Sequence, residues 1–284
     1  MRVDSHVHFW DPSALSVPWL MHTGTLNRAF LPSELPAAGS DRWVCVEAGA
    51  ADPLAETEWF QALAGKYPQI AALVAALPLD TEGGVHDLLA AYARIPLVIG
   101  VRAALIGCDA TFITGDGLRQ TLTAAGAAGF SIDLTLLPAQ MPAVAALITT
   151  LPHITFVIDH AANPDIAGGD FTDWSAGLRD LARAPNVFCK LSGLSTRAAT
   201  SGKRLDEPAY ARITPYLHAV MKHFGPHRVL FGSDFPVLTL ASDRAAWIAY
   251  VERELDRYTT AEREAVMGGT ASRVYRLGKH SVMQ

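Results

Sequence analysis

The sequence predicts one (β/α)8 barrel of the TIM type, an α/β fold built as a single domain over residues 1–284. Three observations carry that expectation. The chain has 284 residues, a normal length for one such barrel. Eight short apolar runs rich in valine and isoleucine recur along it, with helically spaced stretches or loops between them. No linker, low-complexity segment or short repeat divides it.

In chain order, strands are expected at "RVDSHVHF" near 2–9, "WVCVEAG" at 43–49, "IAALVAALP" at 70–78 and "LVIGVRA" at 97–103. Four more follow at "GFSIDLTL" (129–136), "ITFVIDH" (154–160), "NVFCKLSG" (186–193) and "RVLFGSD" (228–234). Between them, "PLAETEWFQALAGKYP", "GLRQTLTAAGAAG", "MPAVAALITTLP" and "WSAGLRDLARAP" have helical spacing, and several stop at the glycine or proline that ends helices. Residues 259–278 read as a closing helix pair. Strand–helix alternation calls for a parallel sheet covered by helices, and eight units close a barrel. A doubly wound open sheet is the rival. It usually shows a glycine-rich phosphate turn after its first strand, and "HFWDPSALSVPW" has none.

Composition narrows the partner. Half the residues are hydrophobic and 18% are charged, enough apolar material for a sizeable core. The formal charge of −5 comes without a lysine or arginine stripe, which argues against nucleic acid, and no basic amphipathic run suggests a membrane surface. The N-terminus lacks a signal-peptide core, and no window approaches the roughly 18 apolar residues of a membrane span, so a cytoplasmic location is expected. Cys45, Cys108 and Cys189 are odd in number, widely spaced and set in apolar runs, so they read as small buried hydrophobes. A small diffusing ligand fits this profile best.

The C-terminal ends of barrel strands form the active-site mouth. In "DSHVHFWDP" (4–12), alternation along the strand puts His6 and His8 on one face. Alone, this pair is a weak signal. Strand eight ends in "FGSDFPV", and closure makes it the neighbour of strand one, which brings Asp234 beside the two imidazoles. Strand six ends in Asp159 and His160, a third imidazole for the same centre. His6, His8 and Asp234 suit a divalent metal with a position left for water, or the imidazoles polarise a carbonyl directly. Arg102 is the lone charge of an apolar strand and Lys190 sits inside another. Each is expected to meet substrate, because a buried cation without an anion is costly. Asp133 reads as a structural hydrogen-bonding residue. Trp10, Trp19 and His22 lie in or near the first loop, where packing is the common fate and a pocket wall the sharper alternative. Trp10 is kept as a substrate-contact candidate. His86, His153, His218, His223, His227 and His280 fall on helix patterns, caps or the tail and receive no role.

Taken as an ordered set, "DSHVHFWDP", "GVRAAL", "VIDHAANPDI", "NVFCKLSGL", "VLFGSDFPV" and "GGTASRVYRL" resemble the amidohydrolase superfamily, specifically its lactonase branch of L-fuconolactone, L-rhamnonolactone and 2-pyrone-4,6-dicarboxylate hydrolases. The resemblance spans nearly the whole chain. It implies hydrolysis of a sugar-acid or related lactone, with His6 and His8 as the strand-one pair, His160 as the strand-six histidine, and Asp234 as the carboxylate that takes a proton from water. Arg102 and Lys190 match basic residues facing the substrate. The family contains both metal-dependent and metal-independent members. The residues lean toward one divalent ion, zinc or manganese, with the histidines and Arg102 themselves as the alternative electrophile. The chain departs from the branch in having Glu47 in place of a frequent glutamine, Phe235 in place of tryptophan and Thr270 in place of asparagine. Glu47, at a strand end, changes the charge of the mouth. A metal-dependent decarboxylase of the same superfamily is the alternative enzyme, disfavoured because strand five offers Asp133 rather than a histidine. A catalytically silent barrel that binds a sugar acid is the alternative from another class, disfavoured because binding needs no water-activating base.

Overall fold

The computed structural model describes residues 1–35, 42–79, 84–199 and 204–278; His280 lies outside them. Eight strands form one sheet in chain order: β1 Val3–Val7, β2 Arg42–Val46, β3 Ile70–Ala76, β4 Val98–Ala104, β5 Ser131–Thr135, β6 Phe156–Ile158, β7 Val187–Leu191 and β8 Val229–Phe231. Every paired neighbour is parallel. All eight apolar runs are therefore strands. The expected helices appear as Pro53–Ala64, Asp116–Ala127, Met141–Thr149 and Thr172–Ala182. Glu207–Phe224, at 18 residues the longest helix, was not singled out by its pattern, and Pro215 lies within it. No helix among the described residues is long and apolar enough to cross a membrane.

The seam between β1 and β8 closes just above the short eighth strand. The Asp234 amide donates to the His6 carbonyl at 2.8 Å and the His8 amide to the Phe235 carbonyl at 2.7 Å. Asp4, fully buried, accepts from the Ser233 amide at 2.7 Å and pairs with Arg244 at 2.9 Å, while Ser5 donates its hydroxyl to the Phe231 carbonyl at 2.7 Å. Polar groups buried in this seam thus all have partners, as burial demands. The same bonds fix Asp234 against the histidine pair.

The barrel interior is filled rather than hollow. Val3, Val44, Val46, Ala72, Val74, Val157 and Leu230 form an inner apolar cluster with Ala271 and Tyr275. The closing segment, Thr260–Glu264, Ala265–Gly269 and Thr270–Val274, leads into Tyr275, which is fully buried. The Tyr275 hydroxyl donates into the Asp133 carboxylate, with oxygen separations of 2.9 and 3.0 Å. Cys45 and Cys189 are buried and Cys108 partly so, all three as free thiols.

Because Tyr275 is both a plug and a hydrogen-bond donor, Tyr275→Phe keeps the packing and leaves Asp133 short of a partner. A loss of about 1–3 kcal/mol is expected, the usual effect of stranding a buried acceptor. Denaturant melts of the two proteins measure it, and equal midpoints would contradict the role given to the hydroxyl.

Candidate active site and metal centre

His8 reaches the mouth from just beyond the end of β1, and His6 is fully buried beside it. Their Nε2 atoms lie 3.1 Å apart, and Asp234 Oδ1 is 3.4 Å from His8 Nε2 and 3.8 Å from His6 Nε2. Four ligands held tetrahedrally at zinc-like distances are about 3.3 Å from one another. The triad therefore has the separations a single divalent ion requires, and these three residues form one of two metal-capable groups found among the described residues. The other, His6, Asp159 and His160, shares His6.

The partners of the outer nitrogen select the neutral tautomer of His8. His8 Nδ1 faces the carbonyls of Val46 and Glu47, both at 2.9 Å. Carbonyls only accept, so Nδ1 carries a proton, and in the neutral ring Nε2 is the nitrogen left for a ligand role. His6 Nδ1 lies 3.3 Å from Asp159 Oδ1 and 3.2 Å from Lys190 Nζ. Burial, reinforced by Lys190, holds the His6 pKa well below its ordinary value, so the ring is the neutral imidazole that metals prefer.

Lys190 lies beneath the site, not in it. It is fully buried, 2.5 Å from Asp133 Oδ2 and 3.1 Å from Asp159 Oδ1, and does not line the cavity. Burial opposes its charge, but Asp133 and Asp159 outweigh burial and raise its pKa. The expectation that Lys190 meets substrate is thus corrected: its anions are the protein's own. Burial also works against an ionised Asp159, yet Lys190 and then His6 hold that carboxyl well below its usual range. Asp133 behaves differently: burial pushes it up to about 6 in spite of Lys190. Trp10 is a second correction. Fully buried, it donates its indole N–H toward the carbonyls of Leu26 and Arg28 at 3.2 and 2.8 Å and packs edge-on against Trp19 and Phe30. It shapes the first loop, whereas Trp19, about a third exposed, reaches the cavity.

His160 stands across from the pair, its ring centroid 4.5 Å from that of His6, and its Nδ1 is 2.9 Å from the Ser192 hydroxyl. Burial pushes its pKa down, although Asp234 and Asp159 pull the other way. An unusual backbone presents it. His160, Ala161, Ala162 and Asn163 all have φ between 49° and 59°, a left-handed turn that L-residues rarely adopt. Trp174 donates to the Ala161 carbonyl at 2.7 Å, and the Asn163 side-chain Nδ2 donates to the Leu136 carbonyl at 2.9 Å. Gly193 makes room, since a Cβ there would stand 2.6 Å from His160 Nδ1. Strain of this kind, held by its surroundings, is characteristic of functional sites.

These groups open on a cavity of about 450 Å³. His8, Glu47, Arg102, Thr135, His160, Asn163, Arg197 and Asp234 supply its polar lining, and Trp19, Ala104, Ile106 and Val237 its apolar one. Asp234 is 4% exposed. Burial works against its charge, but His160 and then the neighbouring His8 and His6 outweigh burial and lower its pKa, so it enters the cavity as a carboxylate. Sequence reasoning missed Asn163, Arg197 and Thr135. Asparagine after "DHAA" was the available signal, as it tolerates the left-handed region better than most residues.

The sequence profile of the amidohydrolase family matches residues 3–277. The chain belongs to that family. It is similar to an L-fucono-1,5-lactonase of Burkholderia ambifaria, 33% identical over 290 residues that cover 99% of this chain and 97% of the relative. A second L-fucono-1,5-lactonase, from Burkholderia multivorans, is 34% identical over 299 residues, covering 98% and 96%. Among solved structures, a Burkholderia multivorans amidohydrolase with bound zinc superposes at a TM-score of 0.86 with 32% identity, covering 97% of this chain and 99% of that one. In this amidohydrolase chain the donor set fits a divalent cation.

Because His6 belongs to both metal-capable groups and offers only one bare nitrogen, one ion per chain is expected. Elemental analysis of protein saturated with Zn²⁺ and then desalted should give a stoichiometry of one, and His8→Ala should lose it. Two tightly held ions per chain would contradict the single-site geometry.

Proposed function

We propose that the protein hydrolyses a lactone of a sugar acid, opening the ring ester to the free acid, with His6, His8 and Asp234 holding one zinc or similar ion. The single observation that carries this reading is the buried Asp234 carboxylate 3.4 Å from the bare Nε2 of His8, at the wall of a cavity sized for a small ligand. The similarity of the whole chain to two relatives named L-fucono-1,5-lactonase supports the substrate class.

An ion held by His6, His8 and Asp234 would supply Lewis-acid polarisation of the ester carbonyl and acidify water. Asp234 orients the attacking water and accepts its proton as the tetrahedral intermediate forms. His160, across the cavity and supported by Ser192, donates a hydrogen bond to the developing oxyanion through Nε2. As the ring C–O bond breaks, Asp234 returns the proton to the departing ring oxygen, leaving a hydroxy acid and a carboxylate of ordinary basicity. Arg102 contributes through its hydrogen bonds at the cavity wall rather than at the reacting carbon. Lys190 and Asp159 act at one remove by fixing His6.

Asp234→Asn keeps the shape and removes the base. With a lactone found by screening aldonolactones against a pH indicator, kcat should fall by roughly 10³-fold or more, and His160→Asn should lower it by at least ~10²-fold. Both variants should melt close to the parent. Turnover of folded Asp234→Asn within tenfold of the parent would move the base to another residue.

A further inference from the structure

Resting on the lactonase reading, we infer that Glu47 is a specificity-determining residue that makes the cavity take an uncharged, hydroxyl-bearing lactone and refuse one carrying a carboxylate. Arg102 lies on β4 and Glu47 follows β2, and both side chains line the catalytic cavity while being only 14% and 8% exposed. Arg102 Nε donates to Glu47 Oε1 at 2.5 Å, and Arg102 Nη2 donates to the Glu47 carbonyl at 3.0 Å and also pairs with Oε1. The Nε–Nη2 edge is the fork with which an arginine grips a carboxylate. Here the protein's own carboxylate fills it.

Glu47 is itself held in place. Its Oε2 accepts from the Gly49 amide at 2.6 Å, and Glu56 behind it accepts from the Ala48 amide at 2.7 Å. The Glu56 carboxyl is pushed up to about 8 by burial and then by Glu47, so it keeps its proton at neutral pH, while burial opposes the Arg102 charge and Glu47 and then Asp159 outweigh burial. The other arginine of the cavity, Arg197, is arranged in the same way. Its Nε and Nη2 both donate to Asn163 Oδ1, at 3.1 and 2.7 Å. In both guanidinium groups the Nε–Nη2 edge is therefore already taken by the protein's own acceptors.

The chemistry of discrimination follows. A carboxylate arriving at the β2–β4 side meets the like charge of Glu47 at short range in a poorly screened pocket, which disfavours it. A hydroxyl in the same place finds an acceptor in Glu47 and a donor in the remaining N–H groups of Arg102. Such a pair suits the alternating donor and acceptor needs of a polyol.

The test compares a neutral aldonolactone with the matching lactone in which the terminal carbon is a carboxylate, using wild type, Glu47→Gln and Glu47→Asp. Wild type should favour the neutral substrate by ~10²-fold in kcat/KM, and Glu47→Gln should narrow that ratio at least ~10-fold, mainly by lowering KM for the anionic lactone. Glu47→Asp keeps the charge and should keep the preference. Wild type that opens both lactones equally would overturn the inference, even if Glu47→Gln failed to fold, and so would an unchanged ratio in folded Glu47→Gln. Wild type that opens no lactone would remove the lactonase reading and this inference together, whereas turnover with an unchanged ratio would remove the inference alone.

Discussion

The site rests on one ammonium group. Lys190 is fully buried between Asp133 and Asp159 and touches the outer nitrogen of His6. An isolated ion at that depth would be untenable, and so would either carboxylate without it. The three charges therefore form a unit that persists only if β5, the end of β6, and β7 keep their register. That unit in turn sets the plane of His6. The Tyr275 hydroxyl ties it to the C-terminal segment, so the closing helix bears on the geometry of the mouth although it lies outside it.

Two backbone features complete the arrangement around this unit. At the β1–β8 seam, amide hydrogen bonds from Asp234 and His8 fix a carboxylate against two imidazoles without any side-chain adjustment. At the end of β6, four residues in the left-handed region turn His160 inward, and the indole of Trp174 and the side-chain amide of Asn163 pin them there. The groups proposed as catalytic are thus held on the barrel itself, where positions are well determined, whereas the proposed selectivity falls to the β2 and β4 ends. The same division explains how one family carries different substrates on one fold.

Much of this was legible in the sequence. The eight strands were, because buried parallel strands are continuous apolar runs, and so was the meeting of His6, His8, His160 and Asp234, which follows from alternation and barrel closure alone. Depth was not legible. Lys190 and Arg102 look alike as lone cations in apolar strands, yet one is sealed under the site by two aspartates and the other lines the cavity with Glu47. Period-two alternation gives the face of a strand but not the height of a side chain along the barrel axis, and partners contributed by distant strands have no local signature. Trp10 was misplaced for a related reason, since a tryptophan beside a catalytic strand reads the same whether it walls a pocket or packs a loop. Arg197 lies in the five-residue helix Leu194–Ala198 and Asn163 caps the turn after β6, segments too short for periodicity to assign a direction.

On the proposed function, Lys190 positions His6 for the metal and never touches substrate. The most direct test is Zn²⁺ affinity of the Lys190→Met variant, measured by chelator competition together with a thermal melt. Loss of a group that orients a metal ligand typically weakens binding by about 10–100-fold, and that loss with a lowered melting temperature is the predicted result. A folded Lys190→Met protein that binds Zn²⁺ as tightly as the parent, and differs only in KM for its lactone, would contradict it.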